Sequence, residues 1–155
     1  MSASRRPVAL LDVNVLVALF DPDHIHHELA HDWFADNRAD GWATCPTTEN
    51  GFVRVLTSPA YLTPAPRARD VIERLQTFRQ SGFHHFWPDG ISVADHRIFN
   101  GAMIRGHRQV TDIYLLGVAT KAGGRLATFD RSIPLSAVKG ATKETLAVIT
   151  SAVET

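Results

Sequence analysis

The chain has 155 residues, 45% of them apolar and 21% charged, with 16 Lys plus Arg balancing 16 Asp plus Glu. That length suits a single domain over residues 1–155, and the lone Cys45 excludes an internal disulfide framework and fits a reducing, cytoplasmic setting. Zero net charge argues against a non-specific nucleic-acid binder, and no apolar run is long enough to span a bilayer.

Met1 to Arg6 reads as a short polar tail without the order of a signal peptide. Eleven of the fourteen residues from Pro7 to Phe20 are apolar, which predicts a strand over Val8 to Leu11 buried on both faces. Asp12 ends that strand and a helix starts around Asn14. A carboxylate inside an apolar run is costly unless it meets water, a donor or a cation. Asp12 therefore either caps the helix or stands as a ligand at the carboxyl end of a first strand.

Asp21-Pro-Asp-His24 is a turn, and a helix follows through about Asn37 with Leu29, Ala30, Trp33 and Phe34 as its buried face. His24, His26, His27 and His31 crowd this segment. His27 and His31 have an i, i+4 spacing that can ligate zinc, but no Cys or completing Glu accompanies them, which favours solvated or locally bonded histidines. Gly41 to Cys45 is a short strand, and Pro46 fits the first turn of a helix to about Leu56. Glu49 is then either an acid favourably placed near the helix's positive end or a side chain aimed at Asp12.

Ser58 to Pro66 is a proline-rich loop, followed by a helix over about Arg67 to Gln80. A third strand region spans His84 to Val93, broken at Pro88-Asp-Gly90. Asp95 is expected to cap a helix running to about Arg105. After a polar loop, Thr111 is a natural N-cap for a helix from Ile113 to about Ala122, stopped by Gly123-Gly124. Arg125 to Phe129 is a fourth strand ending in Asp130, and Leu146 to Thr150 is a last short one.

Strands alternating with helices predict a three-layer α/β/α sandwich around a central parallel sheet. Its topology carries Asp12, Glu49, Asp112 and Asp130 to one rim. Two like charges 4 Å apart repel by about 4 kcal/mol at an effective dielectric of 20, so four ionised carboxylates call for a cation. Oxygen-only ligands point to Mg²⁺ or Mn²⁺, and such a site suits phosphodiester hydrolysis. Setting these four acids aside leaves twelve against sixteen cations, thirteen of which are Arg, a surplus that suits a polyanion. Arg105, His107, Arg108, Arg125 and Arg131 are expected to neighbour the rim as phosphate contacts.

Leu10-Leu-Asp12-Val-Asn14-Val-Leu16, Thr48-Glu49, His107-Arg-Gln-Val-Thr-Asp112-Ile-Tyr-Leu-Leu116 and Ala127-Thr-Phe-Asp130-Arg131 together resemble the PIN-domain ribonucleases. The similarity is strongest to the VapC toxins of VapBC toxin–antitoxin pairs and covers nearly the whole chain. It implies a PIN-like fold and Mg²⁺- or Mn²⁺-dependent endoribonuclease activity. It also implies that Asp12, Glu49, Asp112 and Asp130 are catalytic and hold the metal, with Asn14 and Thr111 as supporting residues. A homodimer and a VapB-like antitoxin partner are further implications of the resemblance. Two readings compete: a non-catalytic module whose acids hold a structural cation or a partner's arginines, and an aspartyl-phosphate enzyme with Asp12 as nucleophile. Asn14 weakens the latter, since it stands where such enzymes usually carry a second aspartate.

Overall fold

The computed structural model describes residues 5–151. Five strands form one parallel sheet: β1 (Ala9–Leu11), β2 (Trp42–Thr44), β3 (His84–Phe86), β4 (Arg125–Thr128) and β5 (Leu146–Val148), in the order β3-β2-β1-β4-β5. The register pairs Ala9 with Trp42 on one side and with Arg125 on the other. Both faces of the central strand are covered, which is why its sequence is a continuous apolar run.

The pleat separates two cores. Ala9, Leu11, Trp42 and Ala127 face α1 (Val13–Phe20), α2 (His27–Asn37), α3 (Pro46–Leu56) and α4 (Ala68–Arg79). Leu10, Ala43 and Leu126 face α5 (Val110–Lys121), together with Phe99, Ile133, Ala137 and Val138. This is the expected three-layer α/β/α sandwich. Helix α5 is buried on every side from Leu115 to Ala119, in keeping with its nearly uniform apolar sequence. Among the described residues no helix is long and apolar enough to cross a membrane.

The expected helix from Asp95 to Arg105 is absent. Asp95 accepts from the Arg97 backbone N–H at 2.9 Å and from the Arg97 guanidinium at 3.0 and 3.1 Å, closing a local turn. Phe99 then forms an antiparallel bridge with Val138, flanked by Asn100 N–H to Ala137 O and Lys139 N–H to Ile98 O. Tertiary pairing with residues some forty positions away overrides the local helical spacing, leaving only a 3-10 turn at Gly101–Met103.

Other boundaries shift for local reasons. Helix α2 begins at His27, and residues 21–26 are turns. The third strand stops at Phe86. Helix α5 begins at Val110 with Gln109 in the cap position, so Thr111 lies in its first turn and is not the cap. Met1 to Ser4 of the expected tail lie outside the described residues, and Arg6 is tied down, its Nε 2.7 Å from Asp40 Oδ2 and its Nη2 donating to Asp36 O.

The Phe99 bridge depends on Gly117. A Cβ there would lie 2.5 Å from Phe99 Cζ, and Phe99 is 3% exposed. Gly117→Val should therefore expel the ring and lower stability by at least about 2 kcal/mol in denaturant unfolding. Gly101→Ala, where an added Cβ meets nothing within 4 Å, should change it by less than about 0.5 kcal/mol.

Candidate active site

Strand β1 stops at Leu11 because the next residue turns from sheet to helix. Asp12 has extended backbone and its Oδ1 accepts the Val15 N–H at 2.8 Å, capping α1. Its backbone N–H still pairs with Ala127 O of β4 at 3.1 Å. The cap is also deeply buried, with Asp12 3% exposed. Burial pushes its carboxyl up to about 7, against the hydrogen bonds from Thr128, Val15 and Asn14, and the facing Asp112 pushes it further up. Asp12 is thus both a cap and a member of an acidic cluster.

Asp112 projects from the first turn of α5 and is half-buried. Burial raises its carboxyl above the usual range, and Asp130 adds repulsion. Asp130 follows β4, is exposed, and accepts the Ser132 N–H at 2.8 Å and hydroxyl at 2.6 Å. Asp12, Asp112 and Asp130 therefore form a chain of repelling carboxylates at the carboxyl edge of the sheet.

Thr128 links the ends of this chain and was not singled out in the sequence. Its hydroxyl donates to Asp12, while its oxygen accepts the Asp130 N–H at 3.1 Å. Thr128 is fully buried. The signal available was its position: a hydroxyl within the last two residues of an apolar strand that ends in an acid.

Glu49 stands differently. It lies in the first turn of α3, but its Oε2 accepts the Thr44 hydroxyl at 2.7 Å, and Arg79 Nη1 lies 3.4 Å from the same oxygen. Thr44 has one proton and gives it to Glu49, so His84 Nε2, 2.7 Å from Thr44 Oγ1, is the donor in that contact. Burial first, and then the Arg79 charge, hold His84 down to about 4. In this arrangement Glu49 is engaged by β2 and α4, while the other three acids repel one another.

The remaining expected residues divide. Asn14 sends its backbone N–H to Asp12, while its side chain is exposed. Thr111 is exposed in the first turn of α5. Arg105, His107 and Arg108 are exposed in the loop leading into α5, and Arg131 is exposed beside Asp130. Arg125 does not neighbour the rim. It opens β4 at the opposite edge of the sheet, where its Nη2 donates to Asn37 Oδ1 at 2.9 Å and its guanidinium lies over Trp33.

His27 and His31, the pair with zinc-like spacing, are bonded elsewhere. His27 Nδ1 lies 2.6 Å from Ala18 O and His31 Nε2 lies 2.8 Å from Leu19 O, so both serve the open carbonyls at the end of α1.

The donor set suits one cation class. Among the described residues no three acidic, His or Cys side chains form a ready-made metal cage. Mg²⁺ does not need one, since it is commonly held by one or two carboxylates, with water and substrate phosphates completing its shell. Asp12 and Asp112, both raised by burial and Asp12 further by Asp112, fit that requirement: a divalent cation held between them would offset the repulsion and favour the ionised form of each.

Residues 9–139 match the family model described as the PIN domain. The chain is 45% identical over 141 residues to ribonuclease VapC44 of Mycobacterium tuberculosis, covering 91% of this chain and 99% of that one. It is 47% identical over 126 residues to ribonuclease VapC38 of the same organism, covering 81% and 87%. Ribonuclease VapC39, also from M. tuberculosis, is 39% identical over 132 residues, covering 85% and 95%. The parallel five-strand sheet, the acids at its carboxyl edge and these matches lead to one assignment: the chain belongs to the PIN-domain family, alongside its VapC members.

Proposed function

We propose that this protein is a Mg²⁺- or Mn²⁺-dependent endoribonuclease that acts as the toxin of a type II toxin–antitoxin pair. The observation that carries the reading is the coupling of Asp12 to Asp112 and of Asp112 to Asp130 on the edge where the strands end. The names of the VapC relatives supply the substrate class.

Asp12 and Asp112 would hold the cation, with Asp130 beside them. Glu49 would join as the fourth acid on leaving Thr44 and Arg79. When bound, the cation polarises a phosphate oxygen and lowers the pKa of an attacking water. Asn14 and Thr111 would support the acids from the first turns of α1 and α5. Arg105, His107, Arg108 and Arg131 would hold RNA phosphates on the exposed side. The reading includes a homodimer, a VapB-like antitoxin and a cytoplasmic setting.

The direct test is cleavage of structured RNA. Activity should require Mg²⁺ or Mn²⁺, stop with a chelator, and fall by more than about 100-fold in Asp12→Asn or Asp112→Asn. Full activity in either variant would sink the site assignment. Thr128→Val keeps the shape but removes the proton given to Asp12. It should lower the cleavage rate roughly 10- to 100-fold and move the pH profile to higher pH.

A second consequence needs no substrate. The Asp12 carboxyl titrates at about 7 in the fold against its ordinary 3.8, so the native state holds a proton that the unfolded chain has lost. Stability of the metal-free protein should fall as pH rises from about 4 to about 7, by on the order of 3 kcal/mol. His84, depressed to about 4, contributes with the opposite sign, and comparison with Asp12→Asn cancels it. The Tm of Asp12→Asn should therefore exceed that of wild type at pH 8 in EDTA, and Mg²⁺ should raise only the wild-type Tm. Equal pH dependence in the two proteins would contradict the burial argument.

A further inference from the structure

Of the four histidines between His24 and His31, two are accounted for by the carbonyls of α1. The other two point elsewhere. His26 lies with its ring centroid 4.6 Å from Phe129 at an interplanar angle of 32°. His24 lies 6.2 Å from Phe129, stacked at 26°, and 5.7 Å from His26. The His26 backbone N–H donates to His24 Nδ1 at 3.0 Å, so that nitrogen carries a lone pair and the His24 ring is neutral, with its proton on Nε2. Among the described residues, no hydrogen bond is made by the His26 ring. All three rings are partly exposed, and Ile25 between the histidines is 88% exposed, so the cluster faces solvent.

Its place in the fold gives it a meaning. Phe129 directly precedes Asp130, and in the pleat it follows Ala127 onto the α1 and α2 face while Asp130 follows Thr128. The acids and the rings therefore adjoin across one sheet edge, with the exposed Arg105, His107 and Arg108 at the entrance to α5. Through the Phe129–Asp130 step this edge sets flat rings beside a carboxylate. Aromatic faces adjoining a phosphate-handling site are how single-stranded nucleic acid is held, because every base has a face to stack. A duplex cannot use them, since its bases are already stacked on one another.

We propose that His26 and Phe129, backed by His24, form a base-stacking platform beside the acidic rim that takes an unpaired nucleobase next to the scissile phosphate. The inference rests on the ribonuclease reading and assigns these rings the place where one unpaired base is held. His26 is a positioning residue in this scheme: it fixes where the strand crosses the rim and touches no reacting atom.

Cut-site mapping with the wild-type protein supplies a sequence, which is then offered as a short single strand and as the same strand annealed to its complement. Wild type should cut the single strand and leave the duplex intact. His26→Ala should raise KM for the single strand roughly five-fold or more, the loss falling on KM more than on kcat. His26→Tyr, which restores a flat ring without imidazole, should return KM toward wild type. In an Asp112→Asn background, a mixed-sequence single strand carrying 2-aminopurine should be quenched on binding, and the quench should disappear with His26→Ala. Equal cutting of the duplex, an unchanged KM in His26→Ala, or no recovery in His26→Tyr would each overturn the proposal. An unchanged KM with an altered mass in light scattering would make the cluster a protein interface instead. If wild type cuts no RNA, the ribonuclease reading fails on its own, and the quench, which needs no cleavage, still decides the stacking.

Discussion

The burial of the Asp12 carboxylate is the constraint on which the rest of the structure turns. Three donors offset part of the cost of a charge in that position: the N–H groups of Asn14 and Val15 and the hydroxyl of Thr128. Two of these donors exist because a helix starts immediately after β1, and the third because β4 lies beside it in register. Helix α1, the β1–β4 pairing and the acid are thus one unit. The donors do not outweigh burial, and the carboxyl remains far above its ordinary range. The carboxylate form is left short of compensation, and repulsion from Asp112 across from it adds to that shortfall.

Thr128 extends the same logic. A hydroxyl can give one proton and accept another, so a single side chain holds Asp12 and the start of the Asp130 turn together. Asp130 is held again from its other side by Ser132. Asp12 and Asp130 are therefore kept in place by hydrogen bonds to backbone and hydroxyl groups that carry no charge. Glu49 shows the opposite solution, an acid on the same edge of the fold bound by an arginine. Neutral donors leave a carboxylate's charge available to a cation, while Arg79 engages that of Glu49.

Much of this was legible in the sequence because it follows from strand ends. An acid closing an apolar run, as at Asp12 and Asp130, has few ways to be stable, and the parallel topology brings those ends to one edge. What was not legible depends on contacts between distant segments. Asp95 has the composition of a cap, yet Arg97 takes its carboxylate and Phe99 is drawn to Val138. Arg125 is close in sequence to Asp130 but opens the strand that Asp130 follows, so the length of β4 separates them. The partners of Glu49 come from β2 and from α4, thirty residues on, which no local pattern announces. Spacing along the chain reports which face or end a residue occupies; it does not report which neighbour reaches it first.

The histidine segment separates the two kinds of information again. At i, i+4 spacing, His27 and His31 do meet, with ring centroids 4.5 Å apart, as a helix requires. Their chemistry is decided by α1, whose last carbonyls lack partners and take the ring nitrogens. That use anchors α2 against α1, and so fixes where the preceding turn must lie. His24 and His26 are carried on that turn to the carboxyl end of β4, beside Phe129. The same cap that ends one helix thereby places two flat rings at the edge of the acidic rim. With zero net charge the chain exerts no overall attraction on a polyanion, so the ribonuclease reading proposed above asks for charge and stacking brought together locally. The Phe129–Asp130 step is where rings and an acid meet.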